Sequence, residues 1–107
     1  MGIQDWSENT ILVDLFEEPE TGNELGTVTE MMRERGDCDV VIDFSDVDIV
    51  TSSSLSKLLK LRKMLSDSGH KLVLCSVSSA TKGIFMITGL DGNFEFADDK
   101  SVVLASF

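Results

Sequence analysis

Apolar and polar positions along the chain fall into two alternating patterns. In "TILVDLF" (Thr10–Phe16), Ile11, Val13 and Leu15 alternate with less apolar positions, which predicts a half-buried strand. "GIQDW" ahead of it reads as a short partner strand, joined by a turn at Ser7–Asn9. "EEPETGN" then breaks the regularity with Pro19 and Gly22. In "ELGTVTEMMRER", Leu25, Val28, Met31 and Met32 recur at helical spacing until Gly36-Asp37 ends the run.

"CDVVIDF" (Cys38–Phe44) is short, nearly continuously apolar and β-branched, as expected of a strand covered on both faces. "SDVDIV" predicts a loop and a brief extended piece. In "SSLSKLLKLRKMLSDSG", Leu55, Leu58, Leu59, Leu61 and Leu65 share one broad helical face, and Gly69 supplies the stop. "HKLVLCSV" predicts another buried strand. "SSATKGIFMITGL" predicts a short helix capped by Ser78 or Ser79 and ended by Gly89. "FEF" (Phe94–Phe96) reads as a last short strand and "DDKSVVLASF" as a final helix.

Strands alternating with helices imply βαβ crossovers. The expected fold is α/β: one domain over residues 1–107, with a mainly parallel, mixed sheet of four to five strands and about four helices. A chain of 107 residues suffices for one core and not for two.

Composition narrows the functional classes. Hydrophobic residues make up 42% and charged residues 26%, the balance of a folded domain. No apolar run nears the roughly 20 residues that span a bilayer. The N-terminus has no signal-peptide pattern, and Met1-Gly2 alone is a weak myristoylation signal. The net charge of −10, from 19 acids and nine bases, argues against nucleic acid and against an anionic membrane surface. It leaves solubility, or a cationic protein partner, as its use.

Cys38 and Cys75 lack the paired spacing of a disulfide or zinc site, and Cys75 reads as a small buried hydrophobe. A reducing cytoplasm fits. His70 is the single histidine and has no nucleophile motif beside it. There is no G-x-S-x-G elbow and no glycine-rich phosphate loop. Asp43, Asp46 and Asp48 could hold Mg²⁺ but read more simply as turn formers, so no metal or other cofactor is expected. No constellation supports an enzyme. Lys57, Lys60 and Lys63 fall on one helical face turned from the leucines, either a solvated face or a docking stripe. Arg62 intrudes on the apolar arc, its stem lying along apolar surface.

The remaining feature is "DIVTSSSLSK". Four hydroxyls, Thr51, Ser52, Ser53 and Ser54, stand where a strand gives way to a helix. Capping that helix contributes about 1 kcal/mol and needs one of them. A helix N-terminus also favours negative charge, and a phosphate here would add about −1.5 to −2.

"VVIDFSDVDIVTSSSLSKLL" resembles the signature of the STAS domain of bacterial anti-sigma-factor antagonists. There an apolar strand, a short loop, Asp-Ser-Ser/Thr-Gly-Leu and a helix follow in order. "LVLCSVSSATKGIFMITGL" resembles the family's later strand and Lys-x-x-Phe helix, with Ser79, Lys82, Phe85, Gly89 and Leu90 in step. The likeness runs from about Thr10 to Phe96. Thr51 stands in place of the pattern's aspartate and Ser54 in place of its glycine, and "FEEPETGNELG" lacks the family's usual segment.

The resemblance implies a non-enzymatic, cytoplasmic partner switch, monomeric on its own. Unphosphorylated, such a domain binds an anti-sigma factor that is also a serine kinase. Phosphorylation at the helix start releases it, and a PP2C-type phosphatase restores it. Aligned on Leu55, the acceptor is Ser52, with Ser53, Thr51 and Ser54 as alternatives. Thr51, Ser52, Ser53, Ser54, Lys57 and Lys60 are the expected partner-binding residues. Other uses of the scaffold are a subunit of a signalling or membrane-associated STAS assembly, and a nucleotide- or anion-sensing module.

Overall fold

The computed structural model describes residues 2–18 and 20–104. In chain order the elements are β1 (Gly2–Ser7), β2 (Thr10–Asp14), α1 (Glu20–Arg35), β3 (Asp39–Asp43), α2 (Ser52–Asp67), β4 (Leu72–Cys75), α3 (Ser79–Ile87), a 3-10 turn (Asp91–Asn93), β5 (Glu95–Ala97) and α4 (Lys100–Leu104). This is a single α/β domain with one five-stranded mixed sheet. The strands lie in sequence order, β1-β2-β3-β4-β5. β1 and β2 form an antiparallel hairpin, and the other three pairings are parallel.

Strand alternation sorts the core into two layers. On one face Ile11, Val13, Val40, Ile42, Leu72 and Leu74 pack against α1, α2 and α3. The opposite face presents Leu12, Val41, Val73 and Cys75 to Val103 of α4. β2 is therefore buried on both sides rather than half-buried, because Leu12 is covered as well.

Helix ends follow local chemistry. Thr51 caps α2, its hydroxyl accepting the Ser54 N–H, and Ser78 caps α3 by accepting the Thr81 N–H. Gly69, at φ +78, closes α2 in a Schellman arrangement: the His70 N–H reaches Leu65 O at 2.8 Å and the Gly69 N–H reaches Ser66 O at 3.0 Å. Gly89 ends α3 in the same way.

Three expectations need correction. α1 begins at Glu20, a turn before the predicted start, and Gly22 lies inside it. Its first turn is fastened from outside: the Thr21 hydroxyl donates to Phe16 O at 2.5 Å, and Glu24 Oε1 accepts the Phe16 N–H at 2.8 Å. Pro19, read as a breaker, lies outside the described residues. β3 stops at Asp43, and the predicted β5 is shifted by one residue to Glu95–Ala97. The final helix is described only to Leu104, and Met1 and residues 105–107 also lie outside the described residues.

Candidate functional site

Parallel strands place the starts of the following helices at one edge of the sheet, where α2 and α3 begin. The two starts are tied together through the β3–α2 loop: the hydroxyls of Ser78 and Thr81 both donate to Asp48 O, at 2.5 and 3.0 Å.

The hydroxyl run divides by role. Thr51 is the cap. Ser52 and Ser53 are exposed, and their side chains make no hydrogen bond among the described residues. Ser54 faces inward and is 1% exposed. Its hydroxyl donates to Glu18 Oε2 at 2.6 Å, and the Thr51 N–H donates to the same oxygen at 2.8 Å. The Thr51 hydroxyl donates to Ser54 Oγ at 3.2 Å, which closes the network. Of the four hydroxyls offered as acceptors, Ser54 is thus enclosed in the fold and Thr51 is engaged at the cap.

Glu18 belongs to the loop between β2 and α1, and its contact with α2 was missed by sequence reasoning. Burial alone would raise its carboxyl pKa. Hydrogen bonds from the Ser54 hydroxyl and the Thr51 N–H, with smaller help from the Thr51 side chain and the Gly22 backbone, outweigh burial and hold it below the usual range. The helix start adds favourable charge. The signal in the sequence was weak: an acid in a short acidic loop, 36 residues from its partner.

α1 and α2 approach closely here. A Cβ on Gly22 would lie 3.2 Å from Ser54 Oγ and 3.4 Å from Lys57 Nζ. Lys57 Nζ donates to Gly22 O at 3.1 Å. Lys57 therefore leaves the proposed lysine stripe and turns onto α1. Lys60 is exposed, and Lys63 pairs with Asp67 at 3.2 Å. Arg62 is half-buried.

Two large apolar side chains stand exposed close in sequence to this network, Phe16 at 49% and Ile49 at 54%. Exposed acids adjoin them in sequence, namely Glu17, Asp46 and Asp48.

The aspartate triplet does not act as one cluster. Asp43 is the last residue of β3 and 6% exposed; its Oδ1 accepts the Ser45 N–H and hydroxyl, and Lys100 Nζ stands 3.6 Å from Oδ2. Asp14, beside it on β2, has its pKa raised, mainly by burial; Lys100 opposes this and Asp43 adds to it. Among the described residues no group of three or more His, Cys, Asp or Glu could hold a metal ion. His70 is half-buried, its Nδ1 3.4 Å from Asp39 Oδ1. Cys38 and Cys75 are buried free thiols. Burial, with Asp43 nearby, pushes the Cys75 thiol up to about 12. Among the described residues, no helix is long and apolar enough to cross a membrane.

A small α/β module thus displays two free hydroxyls at a helix start, with two exposed apolar side chains close in sequence to the network that holds it. The sequence model of the STAS domain family matches residues 7–101, and the chain belongs to that family. A candidate anti-sigma factor antagonist of Bordetella bronchiseptica, BtrV, is 28% identical over 74 residues, which is 69% of this chain and 64% of that protein. The match therefore spans somewhat under two thirds of the relative's length. Solved structures share the fold. A candidate anti-sigma factor antagonist of Thermotoga maritima superposes with a TM-score of 0.83 at 18% identity, covering 98% of this chain and 92% of that one. The Bacillus cell fate determinant SpoIIAA in its phosphorylated form gives 0.74 at 14% identity, covering 99% and 98%.

Proposed function

We propose that this chain is an anti-sigma-factor antagonist that works by partner switching. In its unphosphorylated form it binds an anti-sigma factor with serine kinase activity, and the sigma factor held by that partner is set free. The observation that carries this reading is Ser52: an exposed, unengaged hydroxyl at the first position of α2. Phosphoryl transfer from ATP forms the Ser52 Oγ–P bond, breaks the P–O bond to ADP and releases the serine proton. The new dianion sits at a helix start that favours it, so the domain keeps its fold while its partner meets added bulk and charge. A PP2C-type phosphatase reverses the step.

The similarity to BtrV and to a relative solved in phosphorylated form supports this reading. The acidic loops around the site suit a cationic partner surface. Ser53 is the alternative acceptor, being equally exposed. The test is co-purification with the cognate anti-sigma factor before and after incubation with ATP. Complex formation that is lost on phosphorylation is expected, and failure to form any complex contradicts the reading.

A second reading, a scaffold subunit in a STAS assembly, draws on Met86 and Ile87 of α3, which are 67% and 89% exposed.

A further inference from the structure

At the start of α2, the two positions that leave the pattern this chain resembles, Thr51 and Ser54, are the same two that bind Glu18. Oε2 of Glu18 takes the Thr51 N–H at 2.8 Å and the Ser54 hydroxyl at 2.6 Å. Thr51 and Ser54 are also bonded to each other twice: the Ser54 N–H donates to Thr51 Oγ1 at 3.1 Å, and the Thr51 hydroxyl donates to Ser54 Oγ at 3.2 Å. A glycine at 54 has no hydroxyl to offer. An aspartate at 51 would set a second carboxylate against Glu18, and like charges in contact repel. The pair Thr51/Ser54 and the carboxylate of Glu18 therefore form one unit in which each member suits the others.

We propose that Glu18 is the positioning residue of the acceptor end of α2, supplying from the β2–α1 loop the carboxylate that position 51 lacks, with Thr51 and Ser54 as the pair that seats it. This rests on the reading of α2's start as the phosphorylated docking end and adds to it the residue that orders that end. Both donors to Glu18 flank Ser52 and Ser53 in sequence, so the network fixes the backbone on either side of the two free hydroxyls. It also gives the phosphorylated form a second consequence: a dianion on Ser52 adds charge close to the one carboxylate that joins this loop to α2.

A double-mutant cycle tests this without any partner. Thr51→Asp is expected to lower the melting temperature of the wild-type domain, where Glu18 is present. In the Glu18→Gln background the same change is expected to raise it, because the carboxylate returns to a capping position that aspartate fills well. A change of the same sign in both backgrounds overturns the proposal. If Glu18→Gln does not fold, the cycle is run with Glu18→Ala, which also removes the carboxylate, and the same reversal is expected. The functional arm is phosphorylation by the cognate kinase with ATP. Glu18→Gln should slow it about tenfold, and Glu18→Gln/Thr51→Asp should recover most of the loss; a folded double variant that stays as slow as Glu18→Gln also overturns the proposal. If the wild-type chain takes up no phosphate, the partner-switch reading fails by itself, while the melting cycle still decides the role of Glu18.

Discussion

Glu18 Oε2 and Ser54 Oγ lie 2.6 Å apart, joining the β2–α1 loop to the start of α2 across 36 residues of chain. The carboxyl pKa of Glu18 is lowered in the folded state. A lowered folded pKa means that its stabilisation is complete above the unfolded value, near 4.5, and is lost as pH falls through the folded value. Wild type should therefore lose more melting temperature than Glu18→Gln between pH 6 and about 3. Asp14, whose pKa is raised, acts in the opposite direction but equally in both proteins, so the difference isolates Glu18. Parallel acid curves for the two proteins would contradict this.

The four hydroxyls should separate cleanly in thermal melts. Thr51→Ala removes the cap and is expected to cost about 1 kcal/mol. Ser54→Ala removes a buried donor to a carboxylate and should cost about 1 to 2 kcal/mol. Ser52→Ala and Ser53→Ala touch nothing in the fold and should stay within about 0.5 kcal/mol of wild type.

Phe16 and Ile49 are too exposed to hold the core. Phe16→Ser and Ile49→Ser should each leave stability within about 0.5 kcal/mol. Each should weaken binding to the anti-sigma factor by about tenfold, equivalent to about 1.4 kcal/mol, as read by calorimetric titration. Unchanged affinity in both variants would move the interface elsewhere.

Cys75 should be chemically silent in the folded domain. Its thiol is pushed up to about 12 by burial, and Cys75 is 0% exposed. Thiol-reactive reagent at pH 8 should leave it unlabelled until denaturant is added, when Cys38 and Cys75 should both react. Labelling of Cys75 in the native protein, mapped by peptide mass, would refute this.

Much of the fold was legible because the two periodicities are strong: β-branched runs such as Cys38–Phe44 and leucine spacing in α2 each dictate an element, and alternation dictates the parallel sheet. The start of α1 was less legible. Gly22 reads locally as a breaker, yet it sits inside α1, where its lack of a side chain admits Ser54 and Lys57. Lys57 shares a helical face with Lys60 by spacing, but spacing says nothing of α1 lying alongside, and its carbonyl from Gly22 decides where the ammonium goes. At the candidate site, the surplus of hydroxyls was visible in sequence and its division was not. Which serine turns inward depends on Glu18, a contact made only when the β2–α1 loop reaches α2.

The central claim is most directly tested by incubating the domain with its cognate anti-sigma kinase and ATP, measuring intact mass and mapping the peptide over residues 48–57. One added phosphate on Ser52, with Ser54 unmodified and the complex dissociated, is the expected result. No added phosphate, or phosphate on a residue outside the start of α2, would contradict the account.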